Sequence, residues 1–446
     1  MHSPSTSLAY RAAARLAAAM APGLARSRPK LRAALAGRAG VLDRLAEWAR
    51  GARDPARPLL WMHASSVGEG LQAEIVLKTL RAAHPAWQIA YTHFSPSAEA
   101  LARRQPADVA DYLPWDRPRD VTAALDALRP TAVVFCKLDL WPELATRAAA
   151  RGVGVGLVAA TVSRQSGRLR WPARRLLRPG YAAVTLAGAV AEDDAARLAE
   201  LGVPRERIEI TGDPRYDSAA DRVHAIPPDE PLLASCRGGP TLVAGSTWPE
   251  DEEALLRAFA AVRAARPDAR LILVPHEPTP EHLARLEELA RSAGLEAPAR
   301  LGGSAPTAAL LVMDRVGGLA TLYAGATIAY VGGGYGTAGL HSVVEPAACG
   351  VPVLFGPRWR SSRDAAVLLE HRAAAVVSPK FPDWLDLDSG STHAGANPLA
   401  AIWLALLRNP GHARAAGRRA LACVEEGLGG AARSARLVER ILASAR

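Results

Sequence analysis

The residues able to do chemistry in this 446-residue chain sit on a few short turns. Glu69 lies in residues 64–70 (ASSVGEG), a small-residue turn between an apolar strand and an amphipathic helix. A carboxylate there can act as a general base if an acceptor hydroxyl comes within hydrogen-bond reach. It can equally be an acid stabilised by a helix N-terminus. Gly68 would let the chain turn tightly beside it. Lys137 and Asp139 follow another apolar strand, in the turn 137–142 ahead of Trp141 and Pro142. They could line a site or form an ordinary strand-end ion pair. Gly245, Ser246 and Thr247 precede a helix and offer N–H groups and hydroxyls to a phosphate. A simple N-cap by Ser246 or Thr247 is the alternative. His276 and Glu277 end a strand and could touch a base or a leaving phosphate. Residues 331–357 (VGGGYGTAGLHSVVEPAACGVPVLFGP) form a strand–turn–helix–strand unit. Its glycines allow close backbone approach to a ligand, and a helix start adds partial positive charge. His341 and Ser342 would open that helix, expected over 340–349, with Glu345 available for ribose hydroxyls.

Gly334, Gly336 and Gly339 spell G-x-G-x-x-G, which alone is a weak dinucleotide signal. Arg358, Trp359 and Arg360 stand where the ribose-binding acid should be, and earlier strand–helix units precede the motif. A dehydrogenase is therefore disfavoured relative to another nucleotide-phosphate pocket. There is no Walker loop, no Asp-x-Asp at a strand end, no His/Cys metal cluster and no nucleophilic serine signature. Those absences favour transfer from a nucleotide donor with no metal and no cofactor.

Short apolar strands alternate with amphipathic helices through most of the chain and hold these turns. Strands are expected at 59–63, 88–93, 132–136, 154–159, 183–187 and 208–211, and again at 241–244, 271–274, 309–312, 326–331 and 351–355. A long helix is expected at 31–52, and helices at 398–407, 412–425 and 431–445 close the chain. This rhythm predicts an α/β fold of doubly wound parallel sheets. Residues 223–231 (VHAIPPDEP) read as a hinge. The expected division is a basic arm and helix at 1–57, a Rossmann-like domain at 58–222, the hinge, a second Rossmann-like domain at 232–427, and a terminal helix at 428–446 returning to the first. Each turn singled out lies at the carboxyl end of a strand, where such sheets bind ligands, in a cleft between the two halves.

Composition narrows the class. Apolar residues make up 49% and charged residues 22%, ordinary for a well-packed globular protein. Net charge is +10, and residues 1–57 carry 11 Lys/Arg against 3 acids. Residues 163–180 add six arginines and no acid. These stretches are solvated basic faces or attract an anionic surface. Aromatics are 5% with no stacking pattern among the basic residues, which argues against a nucleic-acid partner. The four cysteines are scattered and read as reduced thiols. No stretch reaches the roughly 18 apolar residues of a membrane span. Leu8, Arg11, Ala12, Arg15 and Leu16 suit a helix lying on a membrane surface. Asp383, Asp386 and Asp388 lack the spacing of a calcium loop and read as surface acids.

Taken together, WMHASSVGEG (61–70), GDPRYD (212–217), GSTWPEDEE (245–253), PHE (275–277), the unit at 331–357 and CVEEGLGGA (423–431) resemble the 3-deoxy-D-manno-octulosonic acid (Kdo) transferases, in the same order over roughly residues 30–440. The resemblance implies a GT-B fold, with two Rossmann-like domains facing each other across a cleft, and an inverting, metal-independent transfer of Kdo from CMP-Kdo to a lipid A precursor. Glu69 would be the base. Ser65, Ser66, Gly68, Lys137 and Asp139 would handle the acceptor. Gly245, Ser246, Thr247, His276, Glu277, Gly334, Gly339, His341, Ser342 and Glu345 would hold the donor. The protein would sit peripherally on the cytoplasmic face of the inner membrane. The chain departs from the family at the W-P turn, where Lys137 and Asp139 replace an acidic pair, and at its N-terminus, which lacks a clear hydrophobic anchor. A transferase for another nucleotide sugar and a non-catalytic nucleotide- or lipid-binding relative remain the alternatives.

Overall fold

A computed structural model describes residues 5–301, 308–378, 380, 382–385 and 397–445. The chain divides into two compact units. The first is Met1–Ser218 together with Leu428–Arg446, and the second is Ala219–Gly427.

The first unit is built on seven strands: β1 (Leu59–His63), β2 (Gln88–His93), β3 (Val109–Tyr112), β4 (Ala132–Cys136), β5 (Gly154–Ala160), β6 (Leu186–Ala189) and β7 (Ile208–Ile210). The second has β8 (Thr241–Thr247), β9 (Arg270–Pro275), β10 (Ala299–Arg300), β11 (Leu310–Val312), β12 (Ile328–Val331), β13 (Val353–Phe355) and β14 (Ala374–Val376). Strand orders are β3-β2-β1-β4-β5-β6-β7 and β10-β11-β9-β8-β12-β13-β14. Every pairing is parallel. Helices cover both faces of such sheets, so the strands read as unbroken apolar runs; all five residues of β1 and of β4 are buried. The direction of winding reverses beside β1 in the first sheet and beside β8 in the second. Parallel sheets open a crevice at that switch.

Several elements differ from the sequence expectation for local reasons. The helix expected at 31–52 is two helices, Pro29–Arg38 and Val41–Ala52, because Gly40 takes a left-handed conformation at φ +68°. The helix after β1 starts at Val67, capped by the Ser66 hydroxyl, so Gly68 is helical and makes no turn. The stretch 223–231 closes helix Pro214–His224 and enters the short helix Pro231–Ala234, while the change of unit falls at Ser218/Ala219. Asp383 pairs with Arg372 at 3.3 Å; Asp386 and Asp388 lie outside the described residues. Among the described residues no cluster of His, Cys, Asp or Glu is arranged to hold a metal, and no helix is long and apolar enough to cross a membrane.

The N-terminal helix Leu8–Ala25 is docked on the first unit. Thr6 donates to Glu143, Arg11 pairs with Glu143 at 3.1 Å, and the Tyr10 hydroxyl donates to Asp116 at 2.6 Å. Asp116 in turn accepts the N–H groups of Glu143 and Leu144 at 2.9 Å, holding the start of helix Pro142–Ala150. The end of the chain is fixed in the same unit. Asp217 accepts the N–H groups of Gly429 at 2.8 Å and Ala431 at 3.0 Å, capping helix Gly430–Ser444. That helix lies directly on β5, because Gly154 offers no Cβ. A Cβ there would sit 2.6 Å from Ile441 Cγ2 and 2.8 Å from the Ile441 carbonyl oxygen. Gly154→Ala is expected to lower stability by about 1–3 kcal/mol through this overpacking. Urea unfolding of the variant beside the wild type measures it.

Candidate functional site

The loop after β1 and the loop after β4 emerge side by side, since His63 is in register with Phe135. Glu69 stands one turn into helix Val67–Ala83, half-buried, and its carboxylate accepts the Ser65 N–H at 2.9 Å. From the neighbouring loop Asp139 accepts a short hydrogen bond from the Ser65 hydroxyl. Asp139 also pairs with Arg168 at 2.6 Å. Of the two alternatives for Lys137 and Asp139, the mutual ion pair is not the one that forms. Lys137 has a left-handed backbone at φ +65°, with its N–H bonded to the Val158 carbonyl at 2.8 Å. A non-glycine residue in that region is strained.

Burial pushes the Glu69 carboxyl above its ordinary range, and the Asp139 charge adds to the effect. Lys137 and the Ser65 and Ser66 N–H groups oppose it without cancelling it. A carboxylate with raised proton affinity, at a strand's carboxyl end beside a cation, is equipped to take a proton from a hydroxyl. Three members of this group were not singled out in the sequence. Arg168 reaches Asp139. His63 bonds Ser65 Oγ through Nε2 at 2.9 Å, and Thr92 meets His63 Nδ1 at 3.1 Å.

In the second unit the turns after β8 and β12 also adjoin, with Gly245 opposite Val331. Here the structure revises the expected geometry. β8 runs through Thr247, and the following helix begins only at Pro249. The Thr247 side chain is buried, and its hydroxyl donates to Glu252 at 2.8 Å, which leaves it facing the interior. Ser246 is half-exposed with φ +53°. The helix expected over 340–349 is a single turn, Val344–Ala348, so Gly339, His341 and Ser342 belong to the loop ahead of it and start no helix. Glycines 332–334 approach backbone rather than open space. A Cβ on Gly332 would strike the Ser246 carbonyl, one on Gly333 the Gly339 carbonyl, and one on Gly334 would lie 2.6 Å from Gly356 N. The Gly332 N–H bonds the Gly245 carbonyl at 2.9 Å and the Gly333 N–H bonds buried Asp251 at 2.8 Å. Asp251 also accepts from the Tyr330 hydroxyl at 2.8 Å and Trp248 N at 3.0 Å, tying both turns together.

Beside this knot, Trp248, His276 and His341 group their rings, with centroids 4.5 to 6.3 Å apart. The Trp248 indole donates to His341 Nε2 at 3.0 Å. Burial, helped by His276, lowers the His341 pKa to about 4, in keeping with an acceptor nitrogen. Glu277 is exposed at the end of β9. Glu345 is paired with Arg222 at 2.8 Å and is partly exposed. Trp248 is the member that sequence reasoning passed over; its place between Thr247 and Pro249, at a strand-to-helix turn, was the available signal.

Comparison with known proteins adds family to geometry. Residues 37–218 match the family model for 3-deoxy-D-manno-octulosonic-acid transferase (kdotransferase). A 3-deoxy-D-manno-octulosonic acid transferase of Bordetella pertussis is 29% identical, over 85% of this chain and 90% of that protein. Those of Haemophilus influenzae and Chlamydophila psittaci are 26% and 28% identical, over 67% and 72% of this chain and 70% and 75% of theirs. Among solved structures, the UDP-GlcNAc 2-epimerase of Neisseria meningitidis bound to UDP-GlcNAc aligns with a TM-score of 0.58 at 12% identity, covering 86% of this chain and 99% of that one. A putative UDP-N-acetylglucosamine 2-epimerase of Listeria monocytogenes aligns equally, at 0.58 and 12%, covering 86% and 96%. At that identity the likeness is one of fold. With two Rossmann-like units of the GT-B class, a family match over residues 37–218 and these relatives along most of its length, the chain is similar to the 3-deoxy-D-manno-octulosonic-acid transferases.

Proposed function

We propose that this protein transfers Kdo from CMP-Kdo to a lipid A precursor, with inversion and without a metal. The observation that carries the proposal is Glu69 at the β1–β4 switch, its proton affinity raised by burial and by Asp139. In this scheme Glu69 takes the proton from the acceptor hydroxyl as that oxygen attacks the anomeric carbon of Kdo. The bond to the CMP phosphate breaks, and CMP departs with the electron pair. Lys137 and Arg168 supply positive charge near the acceptor's phosphates, and Ser66 and Gly68 offer the exposed start of their helix. In the second unit, Gly245, Ser246 and the loop bearing Gly334, Gly339, His341 and Ser342 take the donor phosphate. His276 and Glu277 flank the base, and Glu345 accepts ribose hydroxyls with the lone pairs Arg222 leaves free.

Such an acceptor is anchored in lipid, and the N-terminal helix suits that setting. Leu8, Leu16, Met20 and Leu24 are 81%, 61%, 52% and 43% exposed, at multiples of four residues along one helix. Arg15, Arg26 and Arg28 accompany them. We assign this face to peripheral contact with the anionic cytoplasmic surface of the inner membrane.

Glu69→Gln should reduce turnover of CMP-Kdo with a lipid A precursor by on the order of 10²- to 10⁴-fold. CMP binding, read by thermal shift, should stay unchanged; substantial remaining turnover rejects Glu69 as the base. A larger shift with UDP or GDP than with CMP would instead indicate another nucleotide sugar. For the wild type, kcat should fall with decreasing pH through a limb above the ordinary glutamate range, because a raised pKa means the base is lost earlier on acidification. A limb at or below the ordinary glutamate value contradicts that. Leu16→Glu combined with Met20→Glu should weaken co-flotation with phosphatidylglycerol-containing vesicles. Undiminished flotation would remove this helix face from the membrane contact.

A further inference from the structure

One line of hydrogen bonds runs from the interior of the first sheet to its carboxyl edge. The Trp61 indole donates to Thr92 Oγ1 at 2.9 Å; Thr92 Oγ1 meets His63 Nδ1 at 3.1 Å; His63 Nε2 meets Ser65 Oγ at 2.9 Å; and Ser65 Oγ meets the Asp139 carboxylate. Trp61, His63 and Thr92 are buried on the neighbouring strands β1 and β2.

The two ends fix the direction of the line. An indole N–H can only donate and a carboxylate can only accept. Asp139 therefore takes the single Ser65 hydroxyl proton. Ser65 Oγ must then accept from His63, which puts the imidazole proton on Nε2. That leaves Nδ1 as an acceptor, and Thr92 turns its own proton toward it while accepting from Trp61. Within the line each proton has one place to go; the Thr92 backbone, which also meets the His63 ring, lies outside it. Burial lowers the His63 pKa to about 4, so one ring proton is present at neutral pH, as the line requires. Reversing the ring would withdraw the Ser65 proton from Asp139 and set an oxygen lone pair against its charge.

We propose that Trp61, Thr92, His63 and Ser65 form a directional positioning line that holds the Asp139 carboxylate beside Glu69, with His63 as its orienting member. The proposal rests on Glu69 being the base. It also gives Ser65, expected on resemblance to bind the acceptor, a different task. The groups facing Glu69 are Asp139 and Lys137 from the turn after β4, and the Ser65 and Ser66 N–H groups of its own loop. Behind it lie the Cys136 thiol on β4 and the Tyr91 hydroxyl on β2, both held protonated by burial. Asp139 is the one anion among them, so its placement sets the part of the Glu69 proton affinity that comes on top of burial. Arg168 competes for the same carboxylate from the other side. With the line broken, Asp139 moves toward Arg168 and Glu69 becomes a weaker base.

The test uses Thr92, which is buried and three hydrogen bonds from Asp139. Thr92→Val keeps the shape and removes the hydroxyl; Thr92→Ser restores it. Thr92→Val should lower kcat by about tenfold, a fraction of what the base itself supplies. It should move the acidic limb of the kcat profile to lower pH and leave acceptor KM unchanged, and Thr92→Ser should return both kcat and limb. In an Asp139→Asn background, Thr92→Val should add nothing. Long-range nitrogen-15 NMR of the wild type, with the His63 signals identified by their loss in His63→Gln, should show a neutral ring protonated at Nε2 at pH 7. That measurement needs neither substrate nor the Thr92 variants. An Nδ1–H ring, an unmoved limb in Thr92→Val, or a loss confined to acceptor KM overturns the proposal. Full turnover in Glu69→Gln would instead strike the base assignment, so the two failures are told apart.

Discussion

Two carboxylates on adjoining turns repel each other and part unless something holds them. Glu69 and Asp139 stay together because each is bound by a different part of Ser65: the N–H takes Glu69 and the hydroxyl takes Asp139. Arg168 balances part of the charge from outside, and the sheet supplies the rest of the constraint. β1 and β4 are parallel neighbours in fixed register, so their carboxyl-end loops have nowhere to go but alongside each other. That juxtaposition adds the Asp139 charge to the burial that raises the proton affinity of Glu69, and the polar line behind Ser65 ends in it.

The second unit solves a similar geometric problem with an anion of the opposite accessibility. Asp251 is fully buried and makes its bonds to the backbone of both turns and to Tyr330. It stiffens a loop that would otherwise be floppy through its glycines. The cost is that two of the N–H groups a glycine run offers are already used inside the protein. What stays available toward a ligand is the rim: Ser246, the ring group of Trp248, His276 and His341, and Glu345 beside Arg222.

The alternation of apolar strands and helices was legible because parallel strands are buried on both faces and show as short unbroken runs. Glu69 was legible for a similar reason, being a charge on a small-residue turn after such a run. The glycine run was found for a partly wrong reason, since its residues clear space for one another's backbone. The helix after it was overextended because Pro346 was passed over; a proline fits only the first turn of a helix, so the helix starts at Val344, and the loop ahead of it is fixed by bonds such as His341 N to Gly332 O. His63, Thr92 and Arg168 were not legible at all. Two of them are polar residues inside strands, indistinguishable in sequence from buried core positions. The third is one arginine among six, chosen only by a partner 29 residues away.

The terminal helix carries a consequence for how the molecule comes into being. One face of β5 is closed by Ile441, and the cap on that helix is Asp217, far earlier in the chain. During synthesis that face of the sheet stays bare while the entire second unit is made. The first half to leave the ribosome is therefore the last to be completed, and its apolar surface is open to chaperones for the length of a whole domain's translation.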